Sequence, residues 1–209
     1  MKVLVLCETS GIMRNAFKKK GHTVWSLDIE PADDGETEYH IQDDAMRALN
    51  QKTFNGRMMA KEFDLLIAHP PCQYLANSGV QHLYTKTGRV NKMRKAVDFF
   101  VWVTKLPIKQ KCIENPIPHK YGIGALTFPN IRKRKDGKGY SQIVQPWQHG
   151  HGETKATCLY LENLPDLKPT KIVEGRKPVV HYMAPGPDRA KMRSKTYQGI
   201  ANAMANQWG

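Results

Sequence analysis

The stretch Lys2-Val-Leu-Val-Leu-Cys7, Glu8-Thr-Ser-Gly11, Ile12 to Lys20, Gly21 and Thr23-Val-Trp-Ser-Leu27-Asp28 decides the fold. A continuous apolar run at 2–7 has the character of a strand buried on both faces of a parallel sheet. Glu8 to Gly11 is a turn of small and polar residues. Ile12 to Lys20 carries helical spacing, with Ile12, Ala16 and Phe17 on one side, and Gly21 is a helix stop. Thr23 to Leu27 is a second strand that ends at Asp28. Strand, helix and strand in this order form a βαβ opening.

The same alternation continues. Residues 31–42 are polar and loop-like, and Asp43-Asp44 starts a helix with good N-cap chemistry. Phe63 to Ala68 is a buried strand that runs into Pro70-Pro71-Cys72. Residues 75–90 are rich in Gly, Ser and Thr and form a mobile loop. Asn91 to Leu106 is a helix whose apolar face is Met93, Ala96, Val97, Phe100, Val101 and Val103. Lys111 to Ile113 is a short strand before Glu114-Asn115-Pro116. Residues 117–150 have little periodicity, and 156–161 is strand-like. Residues 165–190 are Pro-rich and extended. Lys195 to Trp208 is a last helix with Ile200, Met204 and Trp208 at helical spacing. The pattern is α/β, a doubly wound and mostly parallel sheet with a small irregular basic insertion.

The 209 residues fit one domain, and 32 basic against 19 acidic residues give a formal charge of +13. Such a surface attracts polyanions, and nucleic acid is the leading partner. No apolar run reaches the ~20 residues of a membrane span. The opening residues read as a first strand and not a signal peptide. Cys7, Cys72, Cys112 and Cys158 are too far apart for a Cys-x-x-Cys pair, which fits a reduced, cytoplasmic protein without disulfides. Cys7, Cys112 and Cys158 read as buried structural thiols. His149 and His151 with Cys158 lack a fourth ligand, so no metal is expected.

Candidate chemistry falls at successive strand ends, where open α/β sheets place ligands. Glu8, Ser10 and Gly11 follow the first strand and allow close approach at a helix N-terminus. Asp28 follows the second and either accepts from ribose hydroxyls or is a surface carboxylate. Cys72 and Glu114 follow the next two and face one pocket. Cys72 is a nucleophile that needs an activated electrophile, or else an inert thiol. Glu114 supplies that activation, or else begins a turn. No phosphate-loop motif is present, which counts against ATP.

Pro70-Pro71-Cys72-Gln73, Ser78 and Glu114-Asn115-Pro116 together resemble the DNA (cytosine-5) methyltransferases, with their Pro-Cys-Gln and Glu-Asn-Val motifs. Ser10-Gly11, Asp28, an acid at Asp43 or Asp44, and the tail Tyr197-Gln-Gly-Ile-Ala-Asn202-Ala-Met follow in the family's order. The resemblance implies a Rossmann-like S-adenosylmethionine-dependent fold, in a minimal, phage-like form. It implies Cys72 addition to carbon 6 of a cytosine in DNA, with Glu114 acting at N3, Asn115 orienting the loop, and methyl transfer to carbon 5. The base reaches such a pocket by being flipped out. Cofactor contacts are implied at Glu8, Ser10, Gly11, Asp28, Asp43, Asp44, Pro70 and Asn202. The last helix, 195–208, would pack back on the cofactor half.

The departures are the replaced Phe-x-Gly-x-Gly turn and a recognition region reduced to about 117–190. The Gln-x-Arg-x-Arg motif is also missing. Lys155, just before the strand at Cys158, stands in for one of its arginines or is an ordinary solvated lysine. Gln73 and Ser78 would contact nucleic acid at the loop, and Arg132, Lys133, Arg134 and Lys135 would contact phosphates, with Gly137 and Gly139 giving flexibility. The same chemistry on RNA or a free pyrimidine nucleotide is an alternative. So is a non-catalytic relative that binds nucleic acid to block a host system.

Overall fold

A computed structural model describes residues 1–50, 59–186 and 189–209. Seven strands form one sheet: β1 (Lys2–Leu6), β2 (Thr23–Asp28), β3 (His40–Gln42), β4 (Leu65–Ala68), β5 (Gln110–Pro116), β6 (Gln142–Val144) and β7 (Thr157–Glu162). Their order is β3-β2-β1-β4-β5-β7-β6. β3, β2, β1, β4 and β5 pair in parallel. β7 enters antiparallel between β5 and β6. The expected doubly wound, mostly parallel α/β sheet is therefore present.

Side chains alternate across the strands, so each strand feeds two cores. Val3, Val5, Leu65, Ile67, Cys112, Leu159 and Leu161 pack against α1 (Ile12–Lys18) and α6 (Gln198–Gln207). Leu4, Leu6, Leu66, Ala68, Ile113 and Tyr160 face α2 (Ala45–Asn50) and α3 (Arg89–Thr104). Every residue of β7 is buried, as a strand covered on both faces and both edges requires. Ile200, Met204 and Trp208 form the buried stripe of α6, as their spacing predicted.

Several local readings change. His40-Ile41-Gln42 lies in the stretch expected to be loop, yet pairs with β2 through Ser26–His40 and Leu27–Ile41. One apolar residue is too weak a signal. The pairing is completed by a side chain, since the His40 ring meets Ser26 Oγ at 2.8 Å. β5 runs on to Pro116, so Glu114 and Asn115 stand inside a strand, opposite Leu159 and Cys158 of β7. The Pro-rich segment contains α4 (Val179–Tyr182) and α5 (Arg189–Ser194). Its residues 187 and 188 lie outside the described residues. The loop after Cys72 is tied down: Leu75 and Leu83 are buried, and the Asn77 amide donates to the Ile117 carbonyl at 2.8 Å.

The basic stretch is also anchored. The Arg132 amide donates to the Leu161 carbonyl at 3.0 Å, and the Arg134 amide to the Tyr140 carbonyl at 3.0 Å. Gly139 serves close packing here and not flexibility, because a Cβ would stand 2.1 Å from the Leu126 carbonyl oxygen. Backbone must shift to admit it. Gly139→Ala is therefore expected to lower stability by about 1–3 kcal/mol. A urea midpoint unchanged from the parent protein would contradict this packing.

Candidate active site

The sheet reverses its winding between β1 and β4, and a cavity of about 500 Å³ opens at their carboxyl ends. This is the crevice where doubly wound folds take ligands, and its size is that of a small-molecule site. The cavity brings together Glu8, Ser10, Asp28, Pro70, Cys72, Glu114, Asn115 and Lys155. These come from the ends of β1, β2, β4 and β5 and, for Lys155, from the segment before β7, all far apart in sequence.

The turn after β1 is built around Glu8. Its buried carboxylate accepts from the Met13 amide at 2.6 Å and the Arg14 amide at 3.3 Å, and Ser10 Oγ accepts from the Ile12 amide at 3.3 Å. Glu8 and Ser10 thus cap the start of α1. Gly11 adopts φ 68°, and a Cβ there would run into the Asp34 carboxylate. It does not line the cavity. Arg14, a charged residue of α1, is fully buried. Its guanidinium donates to Ser26 Oγ at 2.6 Å and to Asp34 Oδ1 at 2.7 Å. Burial would raise the Asp34 carboxyl pKa, but Arg14 and Asn15 hold it below the usual range. This contact fixes the loop that brings Glu30, Pro31, Ala32 and Asp33 to the cavity rim.

Asp28 accepts from the Glu30 amide through Oδ1 at 3.0 Å. Burial raises its pKa. Asp43 and Asp44 stand beside it without lining the cavity. The Asp43 amide donates to the Asp28 carbonyl at 2.9 Å, Asp43 pairs with Arg47, and Asp44 Oδ1 caps α2 through the Arg47 amide at 2.8 Å. Asn202 is exposed on α6, where it accepts from Gln198 at 2.8 Å. α6 packs on α1 and presents no residue to the cavity.

Two cysteines line the cavity, and their surroundings differ. Cys7 takes the left-handed conformation, φ 58°, rare for a residue with a side chain. Burial pushes its thiol pKa up, and the Asp28 and Asp44 carboxylates push it further. Cys72 is also raised by burial, but Lys155 and Arg193 pull the other way. The thiol facing cations is the one that can present a thiolate. Cys112 and Cys158 are fully buried, and burial raises both. All four cysteines are free.

Glu114 and Asn115 form the opposite wall. Glu114 Oε2 lies 3.3 Å from His69 Nδ1. Burial would raise the Glu114 carboxyl pKa, but His69 and then Lys155 outweigh it and hold the group below the usual range. Among the described residues, Glu114 Oε1, Asn115 Oδ1 and His69 Nε2 are buried without a hydrogen-bond partner. Buried polar atoms left this way are costly unless a ligand completes them. Lys155 Nζ donates to the Lys195 carbonyl at 3.1 Å, and burial lowers its pKa despite Glu114 and Cys72.

Gln73 and Ser78 are exposed beyond Cys72, and the Gln73 carbonyl accepts from Arg89 at 2.9 Å. Arg132, Lys133, Arg134 and Lys135 do not reach the cavity. Arg132 meets β7 at Leu161, four residues from Thr157 at the cavity, or roughly 13 Å along the strand. The cations that do line the cavity beside Lys155 are Lys191, Arg193 and Lys195, with Lys191 2.6 Å from Asp33. Alternate basic residues over 189–195 were the available signal, masked by the prolines before them. His69 went unread because it sits between an apolar strand and two prolines. His149 meets Thr170 at 3.1 Å and His151 accepts from the Gly199 amide at 2.9 Å. Among the described residues no three metal-ligating side chains cluster, and no helix is long and apolar enough to cross a membrane.

No protein-family model matches the sequence, and neither does any curated protein. Solved structures of methyltransferases are similar to it over most of its length. A DNA modification methyltransferase encoded within an E. coli prophage matches with TM-score 0.49 and 16% identity over 88% of this chain and 55% of its own. The Entamoeba histolytica methyltransferase EhMeth gives TM-score 0.45 and 14% identity over 89% and 60%. The S. pombe Dnmt2 methyltransferase gives TM-score 0.43 and 18% identity over 86% and 53%. The chain thus spans little more than half the length of the methyltransferases it is similar to.

Proposed function

We propose that the chain is an S-adenosylmethionine-dependent methyltransferase that modifies carbon 5 of cytosine in DNA through a covalent Cys72 adduct. The observation that carries this reading is the facing of Cys72, with its cations, by a buried Glu114 whose Oε1 is unpartnered. A thiolate adds to carbon 6 of a pyrimidine only if the ring is polarised, and an acid at N3 does this.

S-adenosylmethionine, when bound, would supply the methyl group. The chain's residues fit its nucleoside half: the Asp28 carboxylate lines the cavity at the end of β2 and suits a ribose diol. Pro31, Ala32 and Pro70 give the same part of the cavity apolar walls. Glu8 and Ser10 act here by fixing the turn, since their side chains are engaged by α1. Asp28→Asn is expected to weaken cofactor binding about 10–100-fold, the loss of a charge-assisted hydrogen bond. Calorimetry on the two proteins measures this, and equal affinities would remove Asp28 from the site.

Lys155, Lys191, Arg193 and Lys195 would meet phosphates on either side of the target nucleotide. Mass spectrometry of nucleosides from DNA of cells expressing the protein tests the whole reading. It should find 5-methylcytosine that disappears with Cys72→Ser. Transfer to RNA or free dCMP but not DNA would move the substrate, and tight nucleic-acid binding without any transfer would make the protein a blocking factor.

A further inference from the structure

We propose that His69 is the positioning partner of Glu114, and that the pair holds the proton which a cytosine must receive at N3 as Cys72 adds to carbon 6. This rests on the cytosine reading above. A carboxylate by itself has no proton to give near neutral pH, whereas an imidazole is the side chain able to hold one there. The two groups are already in contact, Nδ1 to Oε2 at 3.3 Å, with side chains only 14% and 13% exposed. His69 cannot drift from this place. Its amide donates to the Leu6 carbonyl at 3.0 Å, and Pro70-Pro71 fix the chain beyond it.

Each partner keeps one buried polar atom free of other contacts among the described residues, Nε2 on His69 and Oε1 on Glu114. The contact therefore leaves Oε1 buried and without a hydrogen-bond partner among the described residues. Glu114 faces the imidazole from β5, Glu8 from the turn after β1, and Lys155 from the segment before β7. Cys72 follows three residues along its own loop. Two carboxylates against one ammonium favour the imidazolium. Burial would lower the His69 pKa, but Glu114 outweighs it and raises it above the ordinary value.

The step balances. The sulfur–carbon 6 bond forms, and the carbon 5–carbon 6 π pair shifts into the ring. The one proton of the pair passes from His69 Nδ1 to the Glu114 carboxylate, and the carboxyl group so formed gives it to N3, which leaves a neutral imidazole, a carboxylate and a neutral covalently held ring. When the thiolate leaves again, the N3 proton returns to the pair.

Two measurements test it. The first is release of tritium from carbon 5 of cytosine in DNA without methyl donor, followed against pH. Wild-type protein needs a Cys72 thiolate and a His69 imidazolium. Its rate should rise with pH, level once His69 titrates, and fall again above the Cys72 pKa. His69→Asn keeps a hydrogen-bond donor near Nδ1 but cannot titrate. It should be about a hundredfold slower at neutral pH and should climb about tenfold per pH unit without levelling. The same plateau at the same rate in His69→Asn would overturn the proposal. The second is the titration of His69 by NMR in the wild-type protein and in Glu114→Gln. It should lie above the free-histidine value and fall back in the variant. No response to Glu114→Gln would overturn the pairing whatever the substrate. No tritium release from any wild-type sample, with the coupled titration intact, would overturn the cytosine reading and leave the pair standing.

Discussion

Cys72→Ser is expected to fold normally and to lose methyl transfer to cytosine by roughly 10⁴-fold or more, the scale of removing a covalent nucleophile. A serine hydroxyl at this position has no base acting on it, since the charged groups that act on Cys72, Lys155 and Arg193, are cations. Those cations stabilise a thiolate but cannot draw a proton from an alcohol of far higher pKa. Cys72 is half-buried and not part of either core, so the substitution leaves no cavity to destabilise the fold. Denaturation on DNA containing 5-fluorocytosine gives a second readout. The wild-type protein should remain attached, and the serine variant should run free. Cys7→Ser is the matched control, because its thiol faces Asp28 and Asp44, and it should still trap. A serine variant at Cys72 with normal transfer would sink the mechanism.

Glu114→Gln is expected to cost about 10²–10⁴-fold in kcat/KM, the range for a general acid. The glutamine keeps the shape of the β5 wall and can still donate a hydrogen bond, so folding and cofactor binding should be nearly unchanged. What it lacks is a proton to transfer. The loss should therefore appear in the chemical step, with the KM for DNA little altered. An equal rise in KM with constant kcat would instead mark Glu114 as a binding residue.

The opening βαβ unit was legible because its strands are buried on both faces, so continuous apolar runs replace alternation. α6 was legible from three residues at helical spacing. The strand carrying Glu114 was half legible. Glu-Asn-Pro looks like a turn locally, and only the antiparallel approach of β7 extends β5 to Pro116. That pairing joins residues more than forty apart and leaves no local trace. The burial of Arg14, whose long stem reaches under the loop to Asp34, has no signal in the helical spacing. Lys155 was found only by its place before a strand, and Lys191, Arg193 and Lys195 were hidden by neighbouring prolines. The run Arg132 to Lys135 stands outside the cavity lining. Charge density marked it, but its backbone is fastened to β7 far from the cavity.

The capping of α1 by Glu8 has a consequence for what the crevice admits. A helix start left open would be a positive pole, ready for a phosphate. Here a carboxylate already closes it, and Asp28, Glu30 and Asp33 line the same rim. The β1–β2 side is thus an electronegative bowl, hostile to diphosphates and welcoming to a sulfonium cation. Lys155 and Arg193 give the opposite side the reverse sign. Under the proposed function, the crevice would sort methyl donor and nucleic acid by charge before any hydrogen bond is made.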